Sequence, residues 1–196
     1  MAKINILVAT RNRHKLDEFE AILPADVFEC VSAFDFPDIP EVIEDGATLE
    51  ANAVKKAVTL AVATGMRALA DDTGLEVEAL DGAPGVYSAR YAGEPPDYAA
   101  NNRKLLDALT EHANRRARFR CVIALAEPDG RAQYVEGICA GTIATEPQGE
   151  GGFGYDPLFV PDGEQRTFAQ MSATEKNQLS HRGRALTAAR ERWFAA

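Results

Sequence analysis

The chain has 196 residues, 46% hydrophobic and 26% charged, which is the profile of a folded domain with a sizeable core. A net charge of -9 argues against a general nucleic-acid-binding surface, and no apolar run approaches the ~20 residues of a membrane span. The apolar part of residues 1–9 is too short for a secretion signal, so a cytoplasmic location is expected, without nucleic-acid or membrane partners.

Residues 3–9 predict a buried strand, with Ile4, Ile6, Leu7 and Val8 nearly continuous. A polar loop from Thr10 to His14 follows, and Leu16, Phe19, Ile22 and Leu23 then mark a helix ending near Pro24. A strand, a basic loop and a helix start together make a phosphate-binding arrangement, because the helix offers free N–H groups and a partial positive charge. Arg11, Arg13, His14 and Lys15 supply the basic residues, but the Gly-x-x-x-x-Gly-Lys spacing of a Walker loop is absent.

Residues 37–46 form an acidic connector holding Asp38, Glu41, Glu44 and Asp45. Thr48 can cap the next helix, whose expected apolar face is Val54, Ala57, Val58, Ala61 and Val62. Asn52 and Lys56 lie four apart on its polar face, as solvated surface or as ligand contacts.

The run 66–70 predicts a short strand ending at Asp71-Asp72-Thr73-Gly74. Adjacent carboxylates repel unless a cation or proton is present, so the pair is a candidate metal seat at a sheet edge. The same residue types also make turns.

Pro95-Pro96-Asp97 opens a helix carrying Leu105, Leu106 and Leu109, and His112 near its end is a favourable charge at a helix C-terminus. Strands at 119–126 and 134–143 are expected to pair antiparallel around Pro128-Asp129-Gly130, which makes the sheet mixed. Cys121 and Cys139 fall in these strands and read as small buried residues. With Cys30 they are odd in number and lack paired spacing, so neither a disulfide framework nor a zinc site is expected.

In Gly151-Gly152-Phe153-Gly154-Tyr155-Asp156-Pro157 the glycines allow close backbone approach, and Phe153 is either a stacking surface for a base or a core aromatic. A second basic cluster, Lys176, His181, Arg182 and Arg184, precedes a last amphipathic helix with Ala185, Leu186, Ala189 and Trp193. Ser180 and His181 are sequence neighbours and so are poorly placed to form a nucleophile pair.

Six segments carry a resemblance: residues 9–15, Glu44-Asp45-Gly46 with Asn52, and residues 70–77, 82–93, 152–159 and 175–186. In that order they resemble the inosine/xanthosine triphosphate pyrophosphatase family, which hydrolyses deaminated purine nucleoside triphosphates. The resemblance implies an α/β fold with an elongated mixed β-sheet flanked by helices. It also implies a single two-lobed domain over residues 1–196 around a central nucleotide-binding cleft, usually assembled as a homodimer.

By the same resemblance Thr10, Arg11, Asn12, Arg13, His14 and Lys15 would bind phosphates. Glu44 and Asp72 would hold magnesium, with Asp72 also taking the proton of the attacking water. Thr73 and Lys176 would touch the substrate, and Phe153, Gly154, Tyr155, Asp156, His181 and Arg182 would read the nucleoside. Arg11 and His14 stand where the family commonly has glycine, Thr73 stands where serine is usual, and Gln170 stands where an acid is common and has no assigned role. Two alternatives remain open from the residues alone. One is a nucleotide-binding regulator without chemistry, and the other is a pyrophosphatase for modified pyrimidine triphosphates.

Overall fold

Strand β1 (Ile4–Val8) is buried along Ile6, Leu7 and Val8, as its continuous apolar run requires. The structure is a computed structural model and describes residues 3–194. Helix α1 (Arg13–Ile22) follows, with Asn12 as its N-cap, and leads to β2 (Phe28–Ser32), a short strand with no clear sequence signal. Then come α2 (Leu49–Thr64), β3 (Ala68–Val77), β4 (Pro84–Gly85) and α3 (Tyr98–Ala108). The remaining elements are β5 (Arg116–Ala126), β6 (Ala132–Ile143), β7 (Phe159–Pro161), α4 (Ala173–Leu179) and α5 (His181–Trp193).

The seven strands form one sheet in the order β2-β1-β3-β5-β6-β7, with β4 added on β3. β1 pairs in parallel with β2 and β3, while β4 and β7 pair antiparallel with β3 and β6. The sheet is therefore mixed, as expected. β5 and β6 are neighbours joined by the turn at Pro128-Asp129-Gly130, closed by the Glu127 amide donating to the Arg131 carbonyl at 2.9 Å.

Two expectations need correction. The strand ending at the Asp pair instead runs on through Asp71, Asp72, Thr73 and Gly74 to Val77, so the pair sits mid-strand rather than at an edge or in a turn. β1 pairs with β3 just before the polar run, at Ala68 and Leu69, and β4 just after it, at Leu75 and Glu76, so pairing at both ends keeps extended a run whose turn propensity opposes it. The apolar face expected of α2 is also rotated. Its buried residues are Leu49, Asn52, Ala53, Lys56, Ala57, Leu60 and Ala61, whereas Val62 is exposed. The helix turns two polar side chains inward because both find charged or polar partners there.

Contacts divide the chain into two compact units. The first comprises Met1–Asp72, Cys121–Gly137 and Ala185–Ala196, and the second Thr73–Arg120 and Ile138–Arg184. In the first, Leu16 and Phe19 of α1 and Ala185, Leu186 and Ala189 of α5 pack against Ile6, Val8, Leu69, Cys121 and Ile123. In the second, Leu75, Leu105, Leu109, Phe119, Tyr155, Phe159 and Phe168 form the core. No helix among the described residues is long and apolar enough to cross a membrane.

Candidate active site

Because successive side chains on a strand point to opposite faces, Asp71 and Asp72 do not confront each other. Asp71 goes to the side of α1, where its Oδ2 lies 3.1 Å from Lys15 Nζ and 4.0 Å from Cys121 Sγ. Asp72 goes to the side of α2, where Asn52 Nδ2 donates to its Oδ2 at 3.0 Å and Lys56 Nζ lies 3.9 Å from its Oδ1. A lysine beside each carboxylate offsets its charge, and the pair does not face one shared position. Lys15 lies against Asp71 and also acts on Asp72 at longer range, beside Lys56.

A different carboxylate pair takes its place. Lys56 Nζ also donates to Glu44 Oε1 at 2.9 Å, so Glu44 and Asp72 converge on one ammonium. Asn52 completes the link: its Oδ1 accepts from the Gly46 amide at 2.8 Å while its Nδ2 holds Asp72. A side chain at Gly46 would begin 2.6 Å from that oxygen, so glycine is what lets the acidic connector close onto α2. Burial, above all, pushes the Asp72 carboxyl up to about 6; Lys56 and Lys15 pull against this, and Glu44 adds to it.

Among the described residues no group of three or more His, Cys, Asp or Glu side chains could hold a metal ion. Two carboxylates converging on one cationic position fit a magnesium-type ion, which commonly takes one or two protein carboxylates and completes its shell with phosphates and water.

The basic loop is less uniform than expected. Asn12 Oδ1 accepts from the Lys15 amide as the cap of α1, and the Asn12 amide donates to Thr10 Oγ1 at 3.2 Å. Arg11 donates to the carbonyls of Phe36 and Ile39, and the Arg13 guanidinium lies 4.6 Å above the Phe34 ring. Arg13 thus engages the segment before the acidic connector, and Arg11 both that segment and the connector's start. His14 is exposed, and Lys15 is placed against Asp71.

In the second unit, Asp156 and Lys176 form a buried ion pair at 2.7 Å, and Asp156 Oδ2 also accepts from the Phe153 amide at 2.8 Å. Gly152, at φ +71°, permits this, since a Cβ there would overlap the Asp156 carboxylate. Lys176 Nζ and the Arg182 guanidinium lie 4.8 and 5.8 Å from the Phe153 ring centre, so cations accompany that ring. Arg182 is 2% exposed and donates to Thr73 Oγ1 at 3.2 Å. His181 stacks on Phe119 with ring centres 4.4 Å apart.

Several sequence expectations change here. Tyr155 is buried in the core and donates its hydroxyl to the Ser88 carbonyl at 2.9 Å, so it can offer a ligand its backbone but not its ring. Burial raises its phenol above the ordinary value. Gln170, which had no assigned role, accepts from the Thr167 amide as part of a capping box. Arg184 is exposed and donates to the Ile138 carbonyl, outside the buried cluster. His112 is exposed beyond the end of α3.

The helix-flanked mixed sheet makes this an α/β protein, with a buried acid-and-lysine cluster in the first unit and a Gly-Phe-Gly segment accompanied by cations in the second. The model of the Ham1 family matches residues 6–192, and the chain belongs to that family. It is 53% identical over 190 residues to a dITP/XTP pyrophosphatase of Desulforamulus reducens, covering 96% of this chain and 94% of that one. It is 54% identical over 181 residues to a dITP/XTP pyrophosphatase of Syntrophobacter fumaroxidans, covering 92% of this chain and 78% of that one. Among solved structures it resembles a HAM1 protein from Coxiella burnetii, with a TM-score of 0.87 and 40% identity, covering 95% of this chain and 96% of that one.

Proposed function

We propose that the protein hydrolyses deaminated purine nucleoside triphosphates, ITP, dITP and XTP among them, to the monophosphate and pyrophosphate, clearing them from the nucleotide pool. The observation that carries this reading is the convergence of Glu44 and Asp72 on Lys56. It occurs in a chain about half identical to relatives named for dITP/XTP pyrophosphatase activity. A regulator that only bound nucleotides would have no use for two carboxylates held so close at the cost of burying one.

Glu44 and Asp72 would hold a divalent ion, which we take to be magnesium, together with substrate phosphates. When bound, that ion offsets charge developing on the pyrophosphate leaving group. Asp72 acts as the proton acceptor for the attacking water. In the metal-free chain burial raises that carboxyl above an exposed one, and a bound divalent ion would lower it again.

Lys15 and the amides at the start of α1 take phosphate oxygens, with Thr10 to His14 shaping the loop. Thr73 offers its hydroxyl to the substrate, and Phe153 stacks on the base. Lys176, His181 and Arg182, together with backbone groups from Gly154 to Asp156, read the nucleoside. Attack at the α-phosphorus, a cytoplasmic location, a single two-lobed domain and a homodimer belong to the same reading, on the strength of the family resemblance.

Incubation with ITP and magnesium tests the proposal through its products. IMP and pyrophosphate in equal amounts are expected. IDP with orthophosphate, or binding without products, would refute it. Phe153→Ala should raise the Michaelis constant for ITP roughly tenfold with little change in kcat, since base stacking is worth about 1–3 kcal/mol and serves ground and transition states alike. Steady-state kinetics on the folded variant measures this. An unchanged Michaelis constant would return Phe153 to a core role.

A further inference from the structure

The Gly-Phe-Gly segment is held from two directions. On one side Asp156 accepts the Phe153 amide. On the other stands α3, where Tyr98 and Asn102 lie four residues apart and share a helix face. The Tyr98 ring centre is 6.1 Å from that of Phe153 at a tilt of 44°. Asn102 Nδ2 donates to the Gly154 carbonyl at 3.0 Å. Gly154 has no side chain with which to anchor itself, so this bond fixes the carbonyl that follows Phe153.

The other half of the Asn102 amide is informative. Its Oδ1 is buried and accepts no hydrogen bond from any described residue. A buried acceptor left in that state is costly, and an aliphatic side chain of similar size would avoid the cost. The amide at this position is therefore explained by its donor half, and that donor serves the Gly154 carbonyl.

We propose that Asn102 is a positioning residue for base recognition. By tying the Gly154 carbonyl to α3 it sets the attitude of the Phe153 ring, with Tyr98 bracing that ring from the same helix face. The proposal rests on the reading of Phe153 as the base-stacking surface. It assigns Asn102 no contact with phosphate or metal, so its influence is confined to the base end of the substrate.

The experiment compares the wild type with Asn102→Leu, and with the near-isosteric Asn102→Asp should the leucine variant fail to fold. Three quantities are read: the kinetics of ITP hydrolysis, inhibition by tripolyphosphate, which has no base, and amide hydrogen exchange over residues 153–155. The Michaelis constant for ITP should rise about three- to tenfold, as expected for loss of one hydrogen bond. The kcat should stay within about twofold, and tripolyphosphate should inhibit as before. Exchange over residues 153–155 should quicken. An unchanged Michaelis constant in a folded variant, or an equal loss of ITP and tripolyphosphate affinity, would overturn the proposal. If the wild type turns over no deaminated purine triphosphate, the proposed function fails by itself. Exchange then still tests whether Asn102 anchors the Gly154 carbonyl, and unchanged rates would overturn that.

Discussion

Asp72→Asn is expected to lower turnover of ITP by a factor of roughly 10²–10⁴, the range for loss of a general base, with loss of a metal ligand adding to it. The substitution keeps the size of the side chain and one oxygen for Asn52 Nδ2, and removes the charge and the basicity. Asp71→Asn is the matched control. Its carboxylate serves Lys15 on the opposite face of β3, so a smaller loss is expected there, through a Lys15 that is less well held. Pyrophosphate release by both variants tests this, and near-normal turnover in Asp72→Asn would remove Asp72 from the chemistry.

Stability should move the other way. The Asp72 carboxyl is raised from 3.8 to about 6, chiefly by burial, so the folded chain holds that proton more tightly than the unfolded chain does. The stabilisation by protonation is full below about pH 4 and is lost as pH rises to about 6. In metal-free buffer at pH 7.5, Asp72→Asn should therefore be more stable than the wild type by about 1–3 kcal/mol. Near pH 4 the two should converge. The gain comes from relieving a desolvated charge and not, as the sequence implied, from ending repulsion between Asp71 and Asp72. Urea denaturation at the two pH values measures it, and a variant less stable at pH 7.5 would contradict it.

Lys176→Met should cost about 3–5 kcal/mol of folding stability, the usual consequence of removing one partner from a buried ion pair. Both side chains are nearly fully buried, at 7% and 4% exposure, so little solvent screens the Asp156 carboxylate once the ammonium is gone. The double variant Lys176→Met/Asp156→Asn should recover most of the loss, because a neutral amide still offers an oxygen to the Phe153 amide. Denaturation midpoints of the three proteins decide this. A loss below about 1 kcal/mol in the single variant would mean that the pair is solvated after all.

Much of this fold was legible in the chain. Helices α1, α2, α3 and α5 announce themselves by apolar spacing, and Asn12, Thr48 and Asp97 cap the first three of them as such residues do. β2 was not legible, because Phe28–Ser32 is brief and carries Glu29 and Cys30 between its apolar residues. The course of β3 through Asp71-Asp72-Thr73-Gly74 was hidden as well, since local propensity favours a turn and only pairing with distant strands overrules it.

For the site, the sequence pointed to Glu44 and Asp72 through a family resemblance, but not to the lysine between them. Lys56 and Asn52 looked as much like surface as like ligand contacts, because a helical spacing of four places residues on one face without saying which face is buried. Tyr98 and Asn102 carried no signal at all. Their meaning arises only once α3 lies against Gly154, 52 residues after Asn102 in the chain.

The most direct measurement is pyrophosphate release with magnesium across ITP, XTP, dITP, ATP, GTP and UTP under one set of conditions. Hypoxanthine and xanthine present a 6-oxo acceptor where adenine presents an amino donor, and on the proposed reading the buried donors at His181 and Arg182 would pair with the acceptor. A mismatched polar group in such a site is strongly rejected. GTP shares the 6-oxo group, and XTP carries a 2-oxo group as large as the 2-amino group of GTP, so rejection of GTP would rest on the donor character of that amino group and not on its size. Rapid release from ITP, dITP and XTP, with ATP and UTP slower by orders of magnitude, is the predicted result. ATP turned over as fast as ITP would contradict it.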